Sequence, residues 1–125
     1  MPAEPVYIVA PLGTANQTFV PQGALNVSLS AQSALNTQGS TADNGVARAN
    51  HSLFVVTSAG VSAGVVTLMG SNDNVNWFAT ACTVTTNAAS SAFAANLQNF
   101  PYRYVAAKIT TGIIGGTVTA TTASC

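Results

Sequence analysis

Hydrophobic and polar residues alternate along most of the chain after position 24, in short runs separated by turn-forming residues. The first clear run covers residues 25–31, where every second residue is apolar and Asn or Ser fills the positions between. A period of two is typical of a strand with one buried side and one exposed side. The residues predicted to share the inward face of this strand are Leu25, Val27, Leu29 and Ala31.

Later runs predict further strands. Residues 52–58 are apolar on both sides, as a strand inside a sandwich is, and the other runs cover residues 65–69, 75–82, 102–110 and 117–122. Gly115 and Gly116 lie between the last two runs and predict a hairpin. Residues 36–50 are rich in Gly, Ser, Asn and Asp and predict a long loop. Residues 92–97 fit either one helical turn or a short strand.

Together these runs predict an all-β protein of about eight strands, folded as a single antiparallel β-sandwich of Greek-key or jelly-roll type. Residues 25–125 form the predicted sandwich domain. Residues 1–24 hold four of the five prolines and predict an extended N-terminal arm. This arm contains one β-like apolar run that would be costly to leave in water, so we expect it to contact another subunit. The predicted interface residues are Val6, Tyr7, Ile8 and Val9.

Composition adds that the chain is nearly free of charge. The six charged residues among 125 are Glu4, Asp43, Arg48, Asp73, Arg103 and Lys108. Solvated monomers use charge to stay apart, so such a neutral surface indicates a subunit that is largely covered by other protein. The three basic residues are isolated, which argues against binding to nucleic acid or to a membrane surface.

The termini and cysteines point to folding in a cytoplasm. The N-terminus has no basic region followed by an apolar stretch, so no secretory signal is predicted. No apolar run approaches the roughly 20 residues that span a bilayer. Cys82 lies in an apolar run and is predicted to be buried, whereas Cys125 is expected on a free tail. A disulfide between them is not expected in this compartment, although spacing alone leaves it open.

Candidate chemistry is sparse. His51 is the only histidine, and a hydrolytic triad of a serine, His51 and Asp43 or Asp73 is permitted by spacing alone. No nucleophile motif singles out one serine, so we expect no enzyme activity, no cofactor and no metal site. His51 begins a predicted strand and is interpreted as a hydrogen-bonded structural residue.

The stretch from Gly70 to Trp77 is the most specific local motif. Asn and Asp side chains cap backbone N–H groups and tolerate left-handed conformations, so residues 72–74 predict a self-stabilised hairpin tip. Metal binding there would need more oxygen ligands than one carboxylate and its neighbours supply. Trp77 is predicted to anchor the core. Arg103 is expected to point to solvent, away from Tyr102 and Tyr104.

Ser71, then Asp73 two residues on, then Trp77 four beyond, is similar to a hairpin of discoidin-like β-sandwiches. The same spacing, followed by Pro-Tyr-Arg-Tyr-Val at 101–105 and the Gly-Gly pair, resembles small β-sandwich virion proteins of tailed bacteriophages. Residues 64–123 carry this likeness. The chain has Asn74 where discoidin-like domains usually have glycine after the aspartate.

The bacteriophage resemblance implies a virion structural protein, most directly a head decoration (cement) protein made in the host cytoplasm. Its expected partner is the major capsid protein or another virion protein, and decoration proteins of this kind imply a homo-oligomer, with a trimer favoured. The discoidin-like resemblance implies an alternative, a carbohydrate-binding or adhesion module. The residues expected to stack on a sugar in that case are Trp77, Tyr102 and Tyr104.

Overall fold

Eight strands make up most of residues 25–125, the part of the chain that this computed structural model describes. Their bounds are β1 Asn26–Gln32, β2 Ala42–Arg48, β3 His51–Thr57, β4 Ala63–Ser71, β5 Phe78–Thr85, β6 Ala92–Leu97, β7 Tyr102–Ile114 and β8 Val118–Ser124. All pairings between them are antiparallel, and the described residues contain no helix. The prediction of an all-β antiparallel sandwich is confirmed.

The strands form two four-stranded sheets with the order of a jelly roll. The first sheet has the order β1-β8-β3-β6, and the second has the order β2-β7-β4-β5. The chain can be followed as a long ribbon in which β4 pairs with β5, β3 with β6, β2 with β7 and β1 with β8. Wrapping this ribbon places the two sheets face to face, so that a shared core lies between them.

The core is built from alternate residues of both sheets. Leu53 and Val55 of β3 face Val66 and Leu68 of β4 and Ile109 of β7, and all five side chains are fully buried. This burial explains why residues 52–58 need β-branched and large apolar side chains at every second position. Cys82 belongs to the same cluster, as predicted, and burial raises the pKa of its thiol to about 11.

The β4–β5 connection is a hairpin, but the Gly115–Gly116 connection is not. It joins β7 of the second sheet to β8 of the first sheet, so the predicted hairpin is wrong. The sequence signal had a different cause, which is a close approach of two chain segments. Gly115 has φ of 89° and lies directly against the carbonyl of Gly60, where a Cβ atom would collide.

The first predicted strand exists, but its inward face was predicted incorrectly. The pairing of β1 with β8 shifts between Val27 and Leu29, so that Val27 lies opposite Thr121 while Leu29 lies opposite Ala120. This irregularity turns Leu29 into the core and leaves Val27 on the outer side. Ala31 is exposed and has a left-handed backbone with φ of 50°.

Two other local predictions are corrected or decided. Residues 36–50 are not one long loop, because β2 forms inside them and pairs with β7 despite its Asp, Asn and Gly content. The ambiguous run at 92–97 is the strand β6. Cys125 is exposed but not on a free tail, since its backbone N–H and C=O exchange hydrogen bonds with Asn50 at 2.9 and 3.2 Å.

The predicted N-terminal arm, including Val6, Tyr7, Ile8 and Val9, lies outside the described residues. Both cysteines are free thiols.

Candidate binding surface

The outer face of the first sheet is apolar and carries no charge. Strand pairing aligns Val27, Thr121, Phe54 and Ala94 in one row across all four strands. Val27 is 54% exposed and Phe54 is 41% exposed. An antiparallel sheet that faces water normally presents polar side chains on that side, so a row of this composition is unusual for a solvated surface.

Neighbouring rows have the same character. Val56 is 54% exposed and lies between Thr119 and Ala92, while Ser52 lies between Ala123 and Asn96. The Ser52 hydroxyl donates a hydrogen bond to the Asn96 side-chain oxygen at 3.1 Å, so the two polar side chains of this row bond to each other. We call these three rows the outer face of the first sheet. Its ten residues are Val27, Ser52, Phe54, Val56, Ala92, Ala94, Asn96, Thr119, Thr121 and Ala123.

Charged side chains in the described part of the chain belong to the second sheet and its hairpin. Asp43 of β2 accepts two hydrogen bonds from the Arg103 guanidinium of β7, at 2.8 and 3.1 Å. These bonds hold the pKa of the Asp43 carboxyl below its usual value. The Arg103 guanidinium also lies 5.0 Å from the centre of the Tyr104 ring, so Arg103 does not point away from Tyr104 as predicted.

The β4–β5 hairpin confirms the predicted turn. The Asp73 carboxylate accepts hydrogen bonds from the backbone N–H groups of Val75 and Asn76 and from the side chains of Ser71 and Asn76. These bonds lower the pKa of Asp73 well below its usual range. Asn74 has a left-handed backbone with φ of 59°, a conformation that asparagine tolerates. Because the turn occupies both carboxylate oxygens, residues 72–74 form a cap rather than an open ligand set.

The three aromatic residues predicted to stack on a sugar are not arranged as one platform. Tyr102 packs against the core, with its ring 6.0 Å from that of His51 and 6.5 Å from the stacked ring of Phe100. The ring of Tyr104 contacts the Arg103 guanidinium instead. Trp77 is half-buried and lies outside the core cluster, so the prediction that it anchors the core is wrong.

Trp77 instead lines an open hollow beside the hairpin. The other side chains of this hollow include Val75, which is 75% exposed, and Phe78, which is 56% exposed. Its polar rim is Asn72, Asp73 and Asn76. Phe78 was not among the predicted stacking residues, although its place directly after Trp77 in the sequence was a usable signal.

His51 is buried at the start of β3 and is held by two hydrogen bonds. Its Nε2 lies 3.0 Å from the Phe100 carbonyl, and its Nδ1 lies 2.7 Å from the Ser124 hydroxyl. Because a carbonyl can only accept, Nε2 carries the proton and Nδ1 accepts from Ser124. Burial lowers the pKa of His51, which keeps the ring neutral.

The hydrolytic triad that the sequence spacing permitted is not assembled from His51 with Asp43 or Asp73. Within residues 25–125 no carboxylate bonds to His51, since Asp43 bonds to Arg103 and Asp73 bonds within its own hairpin. Nothing in the sequence singled out Ser124 as the partner of His51. In residues 25–125 no three His, Cys, Asp or Glu side chains lie together in a way that could hold a metal ion. The same part of the chain has no helix that is long and apolar enough to cross a membrane.

Comparison with known proteins shows a fold but no family. No family model and no curated protein matches the chain. Among solved structures, the SPBc2 prophage-derived protein YomS is similar, with a TM-score of 0.55 and 11% identity over 87% of this chain and 98% of that one. The C-terminal domain of a chitobiase from Bacteroides fragilis gives a TM-score of 0.49 and 18% identity over 68% of this chain.

This chain spans 60% of the chitobiase-domain chain, less than two thirds of its length. Both identities are so low that the likenesses concern the fold alone. The chitobiase-domain likeness is too weak to support any inference. The YomS likeness extends over nearly all of both chains and agrees with the β-sandwich described above.

Proposed function

We propose that this protein is a structural component of a bacteriophage virion, and specifically a decoration protein that binds the capsid lattice through the outer face of the first sheet. The observation that carries this proposal is the absence of charge from that face, with Val27, Phe54 and Val56 all exposed on it. Burying this area removes apolar surface from water without desolvating any charged group.

The fold and its neighbours are compatible with this role. Jelly rolls occur in viral capsid proteins and in lectins, so the topology alone does not choose between the two functions. YomS is a prophage-derived protein that shares the sandwich, which makes a phage origin reasonable for this chain. A structural role would also use no catalytic group, in line with the Asp43 and Asp73 carboxylates being engaged in an ion pair and a turn.

The test is association with particles. Virus particles from a host carrying the gene are purified on a density gradient and examined by mass spectrometry for this chain. Particles from a strain lacking the gene are then mixed with the purified protein at low and high salt. We expect binding to change little between about 0.1 M and 1 M salt, a range over which the Debye length falls from about 10 Å to about 3 Å. Absence from particles, or a large loss of binding at high salt, would contradict the proposal.

A second candidate function is carbohydrate binding at the hairpin hollow, and one observation favours it. Phe78 and the half-buried Trp77 line the hollow together with Asn72 and Asn76, and sugar sites combine aromatic and polar side chains in this way. Trp77 is the only tryptophan, so its fluorescence reports directly on this hollow. Titration with an array of oligosaccharides, with Phe78→Ala as the control variant, tests this candidate. An unchanged spectrum throughout would exclude it.

A further inference from the structure

The four edge strands of the sandwich differ in how well they are protected from pairing with another chain. An open edge presents unpaired backbone N–H and C=O groups, and proteins commonly block it with charge, proline, bulges or a covering segment. Three of the four edges here carry such a device, and β6 carries none among the described residues.

The three protected edges are β1, β2 and β5. Along β1, Ser40 donates its backbone N–H to the Ser28 carbonyl at 2.9 Å, which closes that edge toward the second sheet. Along β2, Asp43 and Arg48 carry charge, and the pairing with β7 shifts between them. The pairing of β5 with β4 is interrupted between Thr67 and Met69. These features make each of the three strands a poor template for a further strand.

Strand β6 is regular and uncharged along its whole length. Its pairing with β3 runs without a shift from Val56–Ala92 to His51–Leu97, and its sequence contains no proline and no charged residue. The Thr57 N–H donates to the Ser91 carbonyl at 2.9 Å, so Thr57 and Ser91 form a hydrogen-bonded pair. In an antiparallel ladder such pairs alternate with pairs that do not bond to each other. It follows that Phe93, Ala95 and Leu97 bond to β3. The backbone groups of Ala92, Ala94 and Asn96 point to the open edge.

We propose that residues Val6–Val9 of a second copy add to this edge as a fifth strand of the first sheet. The run Val6-Tyr7-Ile8-Val9 is the β-like segment that lies outside the described residues, and it is apolar on both sides of a strand. A strand of that kind must be covered on both sides. In an added strand beside β6, the side chains on one side would lie next to Ala94 on the outer face of the first sheet. The side chains on the other side would lie next to Phe93, which packs against the core.

Chain length allows this contact. Val9 precedes Leu25 by sixteen positions, and an extended chain of sixteen residues reaches about 50 Å. The described chain begins beside β1, at the opposite edge of the first sheet from β6, about 14 Å away across three strand spacings. The direct path of a copy's own arm to its own β6 therefore crosses the outer face.

The choice of a second copy rests on the proposed function, which assigns that outer face to another protein. The β6 edge of a neighbouring copy is reached without crossing it. Donor and receptor surfaces are then different, so each copy gives one strand and receives one. Such head-to-tail contacts close into a ring when the rotation between copies allows it. The chain thus contains both halves of its own oligomer interface.

The first test separates donor from receptor. Deletion of residues 2–12 removes the donor strand, and Ala94→Pro removes the outward N–H of the receptor while leaving the β3 ladder intact. We expect the wild type to sediment as an oligomer and each variant to associate at least about tenfold more weakly. Ala94→Ser keeps the N–H and is the matched control. Far-UV circular dichroism verifies that all variants stay folded.

The second test traps a single junction. Receptor chains lacking residues 2–12 carry Ala94→Cys, and donor chains carry Ala94→Pro with either Tyr7→Cys or Ile8→Cys. All carry Cys125→Ser, while Cys82 is buried with a raised pKa and stays inert. Mixing under a glutathione redox buffer should yield a disulfide-linked heterodimer with one of the two donors and little with the other, because adjacent strand residues point to opposite faces. Receptors carrying Thr83→Cys on the exposed part of β5 provide the background level.

Equal trapping by both donors, or trapping no greater than with the Thr83 receptor, would overturn the proposal. A monomeric wild type would overturn it as well. These results do not depend on the particle assay. An oligomer that traps as expected but is absent from particles would support the strand exchange and refute the virion function. A protein that is present in particles but does not trap would support the virion function and refute the strand exchange.

Discussion

The two sheets share one core but differ in their outward chemistry. The strands of the first sheet contain no Asp, Glu, Lys or Arg. The second sheet and its hairpin carry all five charged residues of the described chain, namely Asp43, Arg48, Asp73, Arg103 and Lys108. These few charges could have been spread evenly over the surface, with the low charge density shared by both sheets. Their segregation leaves one complete sheet face that can be desolvated at little cost.

The contrast extends to how each sheet satisfies its polar groups. On the second sheet, Asp43 and Arg103 pair with each other, and Asp73 closes a turn. On the outer face of the first sheet, the polar groups are Ser, Thr and Asn side chains, as in the Ser52–Asn96 bond. Neutral groups of this kind can be buried against another protein and keep their hydrogen bonds, whereas an unpaired charge cannot be buried without a large cost.

The largest expected effect comes from placing a charge on the first sheet. Val56→Lys should reduce binding to particles by more than about a hundredfold, because an unpaired ammonium group buried at an interface costs about 3 kcal/mol or more. Thr85→Lys places the same group on an exposed position of β5 in the second sheet and should bind like the wild type. Particle co-sedimentation measures both.

Both substitutions are at exposed positions, so each should change the free energy of unfolding by no more than about 0.5 kcal/mol. Thermal unfolding followed by circular dichroism checks this. Wild-type binding by Val56→Lys would mean that the outer face is not the interface. An equal loss in both variants would mean that the two faces do not differ in function.

A smaller effect concerns the pH dependence of the free energy of unfolding, which should differ between titrating groups of the two sheets. The folded-state pKa of His51 lies below its ordinary value of 6.5, so the unfolded chain takes up a proton first as the pH falls. The stability contributed by neutral His51 is complete above pH 6.5 and is lost as the pH falls below it. The slope cannot exceed about 1.4 kcal/mol per pH unit. Denaturant unfolding between pH 7.5 and 5 should show this loss, and His51→Gln should remove most of it.

Asp73 provides the contrast on the other sheet. Its hydrogen bonds lower its pKa from 3.8, so its contribution is present above pH 3.8 and is lost only as the pH falls below that value. Asp73→Asn should therefore alter the acid limb of the stability curve and leave the region from pH 7.5 to 5 unchanged. The same pH dependence in wild type and His51→Gln above pH 5 would show that His51 is not the group responsible.

The sequence predicted the parts of the fold that depend on local patterns. Residues 70–77 specify a hairpin through their own side chains, and the predicted self-stabilised tip is confirmed by the bonds that Asp73 accepts from the turn. The apolar run at 52–58 identified a central strand, since β3 lies between β8 and β6, although Phe54 and Val56 on its second side are exposed rather than packed. Patterns of this kind succeed because the information lies within a few consecutive residues.

The missed features depend on contacts between distant residues. Gly115 marked a close approach to Gly60 rather than a hairpin, and a spacing rule cannot distinguish these causes. Strand β2 has poor intrinsic β-propensity and forms because β7 offers an edge to pair with. The outer face of the first sheet joins residues from four separate strands, so no single segment displays it. The low charge count predicted that such a surface exists but did not indicate which residues form it.

The smallest expected effect comes from removing charge from the second sheet. Asp43 and Arg103 are about half exposed, at 48% and 41% of their side chains, and water and salt screen pairs of this kind. Asp43→Asn, Arg103→Gln and the double variant form a cycle whose coupling should disappear into experimental error at high salt. Arg103→Lys tests the remaining part, since lysine keeps the charge but lacks the planar group that bonds both oxygens of Asp43 and stacks on Tyr104.

The double variant also completes the comparison between the sheets. If the second sheet faces solvent in the assembled particle, neutralising its ion pair should leave particle binding unchanged, whereas Val56→Lys on the first sheet should weaken it strongly. Binding of the double variant and of wild type is measured side by side at low salt, where any electrostatic contribution is greatest. A loss of binding there would show that the charges of the second sheet contribute to the interaction with the particle, and would contradict an interface confined to the first sheet.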